Sequence, residues 1–398
     1  MTPRPAGIAA LATVHFCSSA MMRVCDPMLP SLAQTFGVTT GRAALTVSVY
    51  AVAYGVMQLL FGPLGDRCGK RRTIGYAALG CVVGNVLALF AMSLEMLVVA
   101  RFLAGAAAAG IIALVLAWVG DTVPYDERQP VLARFLMLSL GGMIAGQWVS
   151  GMLTEWLGWR AVFVLLAVVF CIGGLAITLN REVRAEALRM PAAAHHGHAR
   201  NILRVLSEPW ARWMLLVVMA EGAFAFSGLA FLPAFLVREY GLGLSAAAGV
   251  VVLYGIGGFV YAFAARRLLS ALGESGMVFV GGLALGVGWL MIAMSHQWPL
   301  VLPAGLIAGM GFYMLHGTLQ TLATQMVPTL RGTSVSLFAA TMFLGIAGGV
   351  AGASAVVDRI GTRPVFAACA VALAVIGMVF ALSLRQRATA AASARPAS

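Results

Sequence analysis

Long apolar runs recur along the whole sequence and constrain its fold more than any other feature. Each is close to the ~20 residues that a helix needs to cross about 30 Å of hydrocarbon. The chain is 61% hydrophobic and only 10% charged, whereas soluble domains are about 25% charged. Segments of about 10 residues with alternating polarity, typical of membrane β-barrels, do not occur. The sequence therefore predicts an all-α membrane protein.

The apolar runs predict twelve transmembrane helices, with short connections except in the middle of the chain. The polar, mostly basic segment 180–210 separates an N-terminal six-helix bundle (1–179) from a C-terminal one (211–384), and residues 385–398 form a tail. The predicted spans are 8–29, 43–62, 74–94, 97–119, 131–153, 160–179, 211–234, 244–264, 276–295, 299–323, 334–356 and 364–384.

The two halves resemble each other in sequence, which indicates two six-helix pseudo-repeats. GWRAVF at 158–163 returns as GTRPVF at 361–366, at the start of predicted spans six and twelve. The segment AARRLLSALG (264–273) lies where a second copy of GPLGDRCGKRR (62–72) is expected, but it contains no acid. Duplicated bundles with a substrate site between them are a common plan of secondary transporters.

The net charge of +12 is distributed unevenly, and this predicts the orientation of the chain. Most of the 26 lysine and arginine residues fall in the termini and in alternate loops, and basic loops stay cytoplasmic. We therefore expect a multi-pass protein of the cell inner (plasma) membrane with both termini in the cytoplasm. No basic patch remains that would bind nucleic acid.

The sequence predicts no cofactor and no metal site. The six cysteines show no C-x-x-C spacing and most fall inside predicted spans, as expected of small packing residues. The cluster of His195, His196 and His198 is compatible with a metal ion, but a flexible linker is favoured. No phosphate loop of the form G-x-x-x-x-G-K-S/T occurs, so ATP is not the expected energy source.

The segment GPLGDRCGKRR places one acid and four bases between predicted spans two and three. It resembles the signature of the major facilitator superfamily of transporters, which it matches at Gly62, Leu64, Asp66, Arg67, Gly69, Lys70 and Arg71. The resemblance implies the twelve-helix major facilitator fold and a conformational switch in which Asp66 contacts the partly positive start of span eleven. Arg71 and Arg72 can alternatively anchor the segment to anionic lipid.

Glu221 and Asp26 are the acids that lie inside predicted spans, where an ionisable group is costly and marks a candidate functional site. Glu221 lies near the centre of span seven, where desolvation favours the neutral carboxyl, so it can load and release a proton. His316 lies in span ten, and histidine titrates near physiological pH. The resemblance implies that spans one, four, seven and ten line the central cavity, so that Glu221 and His316 can face each other as a proton-coupling pair. The alternative is a structural hydrogen bond between helices.

Arg23 and Asp26 lie three residues apart in span one, a spacing that permits an ion pair. The pair can be structural, form an outer gate or contact the substrate. Asp26 with Pro30 resembles the first span of the drug:proton antiporters of the superfamily. Arg101 opens span four and resembles the proton-coupling motif R-x-x-q-G of that group, although Ala104 replaces the glutamine.

Span five departs from the antiporters, which carry a Gly-Pro pair there. Gln147 replaces the proline, while Gly142 and Gly146 keep the glycine face. Aromatic residues near the proposed site can line an apolar pocket suited to amphipathic compounds. They are Tyr50, Tyr54, Phe224, Phe226, Phe312 and Tyr313.

Together these features favour a secondary transporter that works by alternating access and exports small amphipathic compounds or drugs in exchange for protons. One alternative keeps the fold but carries a metabolite or an organic anion, bound by Arg23 or Arg101. Another is a transporter-like sensor that moves nothing. An enzyme is disfavoured because the sequence offers no nucleophile–base set. The expected partners are a small-molecule substrate, protons and the lipid bilayer, and we expect a monomer.

Overall fold

Helices make up almost all of the structure, a computed structural model that describes residues 5–123, 125–183 and 197–393. No strand occurs in those ranges. The helices are α1 (Pro5–Met21), α2 (Cys25–Phe36), α3 (Thr40–Ala43), α4 (Leu45–Cys68), α5 (Lys70–Leu89), α6 (Leu94–Ala108), α7 (Ile111–Thr122), α8 (Tyr125–Leu157), α9 (Arg160–Thr178), α10 (His198–Ser207), α11 (Pro209–Tyr240), α12 (Leu244–Met294), α13 (Val301–Ala323), α14 (Arg331–Ile360) and α15 (Arg363–Ser393).

The described helices are long and apolar enough to span a membrane many times. Ten helical stretches meet this condition, or eleven if the bent pair Ile8–Met21 and Cys25–Phe36 counts as one span. The 51-residue α12 is one of the ten, but Gly273 has a non-helical backbone inside it and separates predicted spans eight and nine. The predicted spans are largely helical, although 8–29 is divided between α1 and α2 and 97–119 between α6 and α7. The prediction of an all-α membrane protein is confirmed.

The segment 62–72 is not the loop that its hydrophilic residues predicted. Helix α4 continues through Pro63 to Cys68 and α5 begins at Lys70, so only Gly69 lies outside a helix. Gly69 has a φ of 87°, which glycine adopts at low cost because it has no Cβ. One residue is thus enough to reverse the chain, and the motif's acid and bases are held on helix ends.

Part of the predicted central linker is also helical. His198 begins α10, and its Nε2 atom lies 3.0 Å from the carbonyl oxygen of Leu59. The flexible-linker interpretation is therefore wrong for His198, because its backbone is helical and its side chain has a partner. The other two members of the predicted histidine cluster, His195 and His196, lie outside the described residues.

The chain divides into two compact units. The first consists of Met1–Asn201 with Gly241–Gly249, and the second of Ile202–Tyr240 with Val250–Ser398. In the first unit, α1 packs on α8 and α9, while α5 packs on α6 and α9. In the second unit, α11 packs most extensively on α14 and also contacts α15.

The same backbone turns occur in both units. Seven glycines of the described ranges have positive φ, and six of them form three pairs whose sequence separations agree to within one residue. The pairs are Gly37 and Gly241, Gly69 and Gly273, and Gly158 and Gly361. The repeated turns show that the two halves share one backbone plan.

Arg160 and Arg363 follow Gly158 and Gly361 by two residues, and both donate hydrogen bonds to backbone carbonyl groups. Arg160 donates to the carbonyl oxygens of Leu89 and Ala91, at 3.2 and 2.8 Å. Arg363 donates to two carbonyl oxygens of the equivalent turn in the second unit, at 2.8 and 2.7 Å. Each arginine therefore binds carbonyl groups at a helix end, where helical partners are lacking.

Glycines also allow equivalent helix pairs to pack backbone against backbone. A Cβ atom on Gly146 of α8 would lie 2.6 Å from the Cα atom of Ala20 in α1. A Cβ atom on Gly349 of α14 would lie 2.6 Å from the carbonyl carbon of Ala223 in α11. Close packing through small residues is how helices associate in lipid, where no hydrophobic force drives them together.

Candidate functional site

Glu221 is fully buried in the middle of α11. Its Oε2 atom lies 3.1 Å from Nδ1 of His316 in α13, and both residues belong to the second unit. The other carboxyl oxygen, Oε1, is buried and accepts no hydrogen bond from any described residue. The structure thus brings together the two residues that the sequence suggested as a pair.

The surroundings of Glu221 restrict the charge that it can carry. A buried carboxylate without a partner is very costly, whereas a neutral carboxyl is not. An ionised Glu221 therefore depends on His316, because that side chain is the described donor within reach. The structure therefore places one buried carboxyl against one histidine, with no second described donor on the carboxyl.

Aromatic rings enclose the imidazole of His316. The ring of Phe312 stacks on it, with 5.1 Å between centroids and an interplanar angle of 5°, and Phe338 lies 5.6 Å away. Phe226 and Tyr254 contact Phe312 at centroid distances of 5.5 and 5.9 Å. The pair is therefore bounded by apolar ring surface, and the sequence analysis missed Phe338 and Tyr254.

Of the other predicted pocket residues in this unit, Tyr313 lies beside Phe312 and Phe224 does not. Tyr313 contacts Phe312 at 5.2 Å. Phe224 instead lines an apolar cavity of about 290 Å³ that also touches Gly349 and Cys369. Residues two positions apart on a helix point about 200° apart, so Phe226 rather than Phe224 reaches Phe312.

A second polar cluster lies at the break between α1 and α2, which meet at 52°. Nη2 of Arg23 lies 2.7 Å from Oδ2 of Asp26, and both side chains are buried. Gln147 of α8 donates to the same oxygen at 3.2 Å. Gln147, which replaces the antiporters' proline, is thus part of this cluster, a role that the sequence analysis missed.

Arg101 supports the same break from α6. It is 1% exposed and donates to the carbonyl oxygens of Met21 and Thr46, at 3.2 and 3.4 Å. Its guanidinium carbon lies 4.1 Å from the ring centroid of Tyr50, within the range of a cation–π interaction. The ring of Tyr54 lies 6.0 Å from that of Tyr50. Both predicted pocket tyrosines are therefore buried core residues near Arg101.

The basic motif links several helix ends in the first unit. Lys70 lies 3.3 Å from Asp66 and also contacts Asp121 at the end of α7. Arg71 lies 3.7 Å from Glu182. Two further members of the predicted switch are exposed near the end of α4: Gly62 and Arg67.

His15 is a buried ionisable residue that the sequence analysis missed. Its Nε2 atom lies 2.6 Å from Oγ of Ser139 and 3.1 Å from the carbonyl oxygen of Phe135. The signal was visible, because a histidine stands inside the first apolar run. Among the described residues, no three His, Cys, Asp or Glu side chains are grouped so that they could hold a metal ion.

Comparison with known proteins assigns this architecture to a family. A family model described as the Major Facilitator Superfamily matches residues 11–350. The chain belongs to the major facilitator superfamily. It is therefore a multi-pass membrane protein of a transporter family, whose members handle small molecules within a lipid bilayer.

Solved structures of the superfamily share the fold. The nucleoside transporter NupG superposes with a TM-score of 0.75 at 14% identity, over 94% of this chain and 98% of its own. An auto-inhibited POT family peptide transporter gives 0.76 at 16% identity, over 96% and 97%. At these identities the likeness shows the fold alone.

Relatives in sequence include drug resistance proteins. A chloramphenicol resistance protein of Streptomyces lividans is 29% identical over 301 residues, which cover 75% of each chain. One of Pseudomonas aeruginosa is 26% identical over 326 residues, covering 77% of this chain and 72% of its own. A probable efflux pump of Aspergillus flavus is 26% identical over 186 residues, 45% of this chain and 44% of the pump.

Proposed function

We propose that this transporter exports small amphipathic compounds across the inner membrane by alternating access, in exchange for protons. The observation that carries the proposal is the fully buried Glu221 carboxyl, hydrogen-bonded at 3.1 Å to His316 inside apolar helices. The neutral carboxyl of Glu221 costs little to bury, whereas its carboxylate depends on the hydrogen bond from His316. Binding or release of cargo near the pair can therefore favour one state over the other.

The proposed cycle places proton and cargo in competition. A proton taken up from outside neutralises Glu221, which lowers the cost of closing the apolar helices around it. Release of that proton on the inner side restores the carboxylate of Glu221, which accepts a hydrogen bond from neutral His316, and prepares the site for the next cargo molecule. Exchange then requires only that the two ligands favour different conformations.

The cargo class follows from the surroundings of the pair and from the relatives. The rings of Phe226, Phe312 and Phe338 offer apolar surface rather than charge. Two relatives are named for resistance to chloramphenicol, which is an uncharged amphipathic molecule. Exchange of an uncharged cargo for a proton moves net charge, so the membrane potential would add about 2.3 kcal/mol per charge for each 100 mV.

The organic-anion alternative is weaker because both candidate arginines have intramolecular partners. Arg23 is paired with Asp26 at 2.7 Å, and the two opposite charges are buried together. Arg101 is directed at two backbone carbonyl groups and at the ring of Tyr50. An anion would have to displace these contacts, which costs free energy in a buried site.

The motif at 62–72 is proposed to act as the conformational switch. Lys70 is placed between Asp66 and Asp121, so a movement of one helix end exchanges one charged contact for another. The contact between Asp66 and span eleven stays a prediction from the resemblance. We further propose that the motif at 62–72 and both termini lie on the cytoplasmic side. Residues 180–210 would join two six-helix bundles (1–179 and 211–384), and the chain would work as a monomer.

The proposal is tested by proton movement in everted membrane vesicles acidified by respiration. Addition of chloramphenicol, cationic drugs, organic anions or sugars should raise the internal pH for one cargo class only. Glu221→Gln should abolish this response, because the amide cannot ionise. Glu95→Gln is the matched control, since the Glu95 side chain is 71% exposed. Unchanged pH responses in Glu221→Gln would contradict the role of the pair, and no response to any class in the wild type would favour the sensor.

A further inference from the structure

An apolar groove of about 430 Å³ lies between α4, α5 and α6 in the first unit. Its walls include Phe61 and Leu64 of α4, together with Ala106 of α6. Cys68 and Arg72 border the end of the groove nearest to the reversal at Gly69. The groove therefore begins beside the basic motif, and its lining contains no residue of the Asp26 cluster.

Arg72 differs from its neighbours in the motif. Lys70 and Arg71 are engaged in ion pairs with carboxylates. No described carboxylate contacts Arg72, whose guanidinium carbon lies 5.4 Å from the ring centroid of Tyr76. Its Nε atom also donates to the Tyr76 hydroxyl at 3.4 Å. Tyr76 thus holds an uncompensated positive charge at the edge of the apolar groove.

We propose that this groove binds one anionic phospholipid, with an acyl chain along α4 and α6 and the phosphate at Arg72. Charge complementarity favours this ligand, because anionic lipids attract basic residues that lie close to the membrane surface. The position of Tyr76 fits, since tyrosine side chains gather at the level of lipid headgroups. The side chain is 54% exposed and its hydroxyl lies next to Arg72.

The bound lipid would contact the end of α4 and the start of α5, which also carry the proposed switch residues. Arg72 directly follows Arg71 and lies two positions after Lys70, which contacts Asp66 and Asp121. A lipid phosphate at Arg72 leaves those ion pairs intact, because it uses the one base among the three that lacks a described carboxylate partner. The proposed site therefore uses none of the switch contacts.

Cys68 supplies a reporter for this site, because it is exposed and borders the groove. The purified full chain is placed in nanodiscs of phosphatidylcholine, with or without phosphatidylglycerol. The rate at which a maleimide modifies Cys68 is then measured by peptide mass spectrometry. Phosphatidylglycerol should slow the modification in the wild type. Arg72→Gln should weaken the phosphatidylglycerol dependence about fivefold, which corresponds to the ~1 kcal/mol of one basic residue.

Two further variants separate a specific site from a general effect of surface charge. Ala106→Trp fills the groove without changing any charge and should abolish the protection by phosphatidylglycerol, which Arg72→Gln only weakens. Arg267→Gln removes an exposed base elsewhere in the chain and should keep it. Equal protection in the wild type, Arg72→Gln and Ala106→Trp would overturn the proposal, as would no effect of phosphatidylglycerol at all. Size-exclusion chromatography establishes that each variant is folded.

Discussion

A single methyl group at Gly349 is expected to destabilise the second unit. The Cβ atom of Gly349→Ala would lie 2.6 Å from the carbonyl carbon of Ala223 and still closer to its carbonyl oxygen. Ordinary van der Waals contact begins near 3.4 Å, and the neighbouring atoms belong to the backbone of α11, which cannot rotate away. Helices α11 and α14 must therefore move apart.

The magnitude follows from the packing that this movement disrupts. A gap of about 0.5–1 Å removes roughly a quarter to a half of the dispersion energy between facing atoms along an interface. Overpacking of this kind costs about 1–3 kcal/mol. For a unit of this size, a change of about 1 kcal/mol shifts the melting temperature by about 2–4 °C. We therefore expect Gly349→Ala to melt about 2–12 °C below the wild type.

The assay is thermal unfolding of the purified protein, followed by intrinsic tryptophan fluorescence. Gly352→Ala on the same helix is the control, because no described heavy atom beyond its chain neighbours and its own helix backbone lies within 4 Å of the position that its methyl group would occupy. Alanine there removes only the flexibility of glycine, so it should leave stability unchanged or raise it slightly. Gly146→Ala against Ala20 in the first unit should repeat the loss. Equal shifts for Gly349→Ala and Gly352→Ala would refute the argument.

Three further predictions concern the polar contacts. Gln147→Leu removes a donor to the buried Asp26 carboxylate and should cost about 1–3 kcal/mol in unfolding free energy, measured by denaturant titration; no change would show that the contact is unimportant. His316→Phe should abolish proton-coupled transport, whereas His316→Asn, which can still donate to Glu221, should retain part of it in the vesicle assay; equal activities would contradict the hydrogen bond's role. Arg363→Gln loses charge-assisted bonds to two carbonyl groups and should lower stability by about 1.5–3 kcal/mol, seen as a reduced melting temperature.

The sequence predicted the membrane class, the spans and the buried acids because those features depend on local composition. Glu221 and His316 are conspicuous as ionisable residues in apolar runs, and the fold places them 3.1 Å apart. The contact between Gln147 and Asp26 joins residues that are distant in sequence. No local sequence pattern predicts such a contact. Gln147 in place of the proline therefore indicated only a difference from the antiporters.

The remaining differences arise from geometry that composition does not specify. The rotation of α11 about its axis decides that Phe226, and not Phe224, contacts Phe312. Residues 62–68 remain helical and the chain reverses at Gly69 alone, whose φ is positive. One glycine among 46 cannot be singled out for that conformation by its neighbours, so the hydrophilic motif suggested a loop.

The paired turns of the two units have a consequence for how such a protein can change over time. By the spacing of Gly158 and Gly361, Arg23 and Asp26 correspond to Phe226 and Leu229, and Glu221 corresponds to Ser18. A duplicated gene would have inherited the same turns twice, while the buried polar residues diverged separately in each copy. A change of cargo or of coupling ion then needs few substitutions, because the buried polar residues of one half can change while the glycine turns of both halves stay the same.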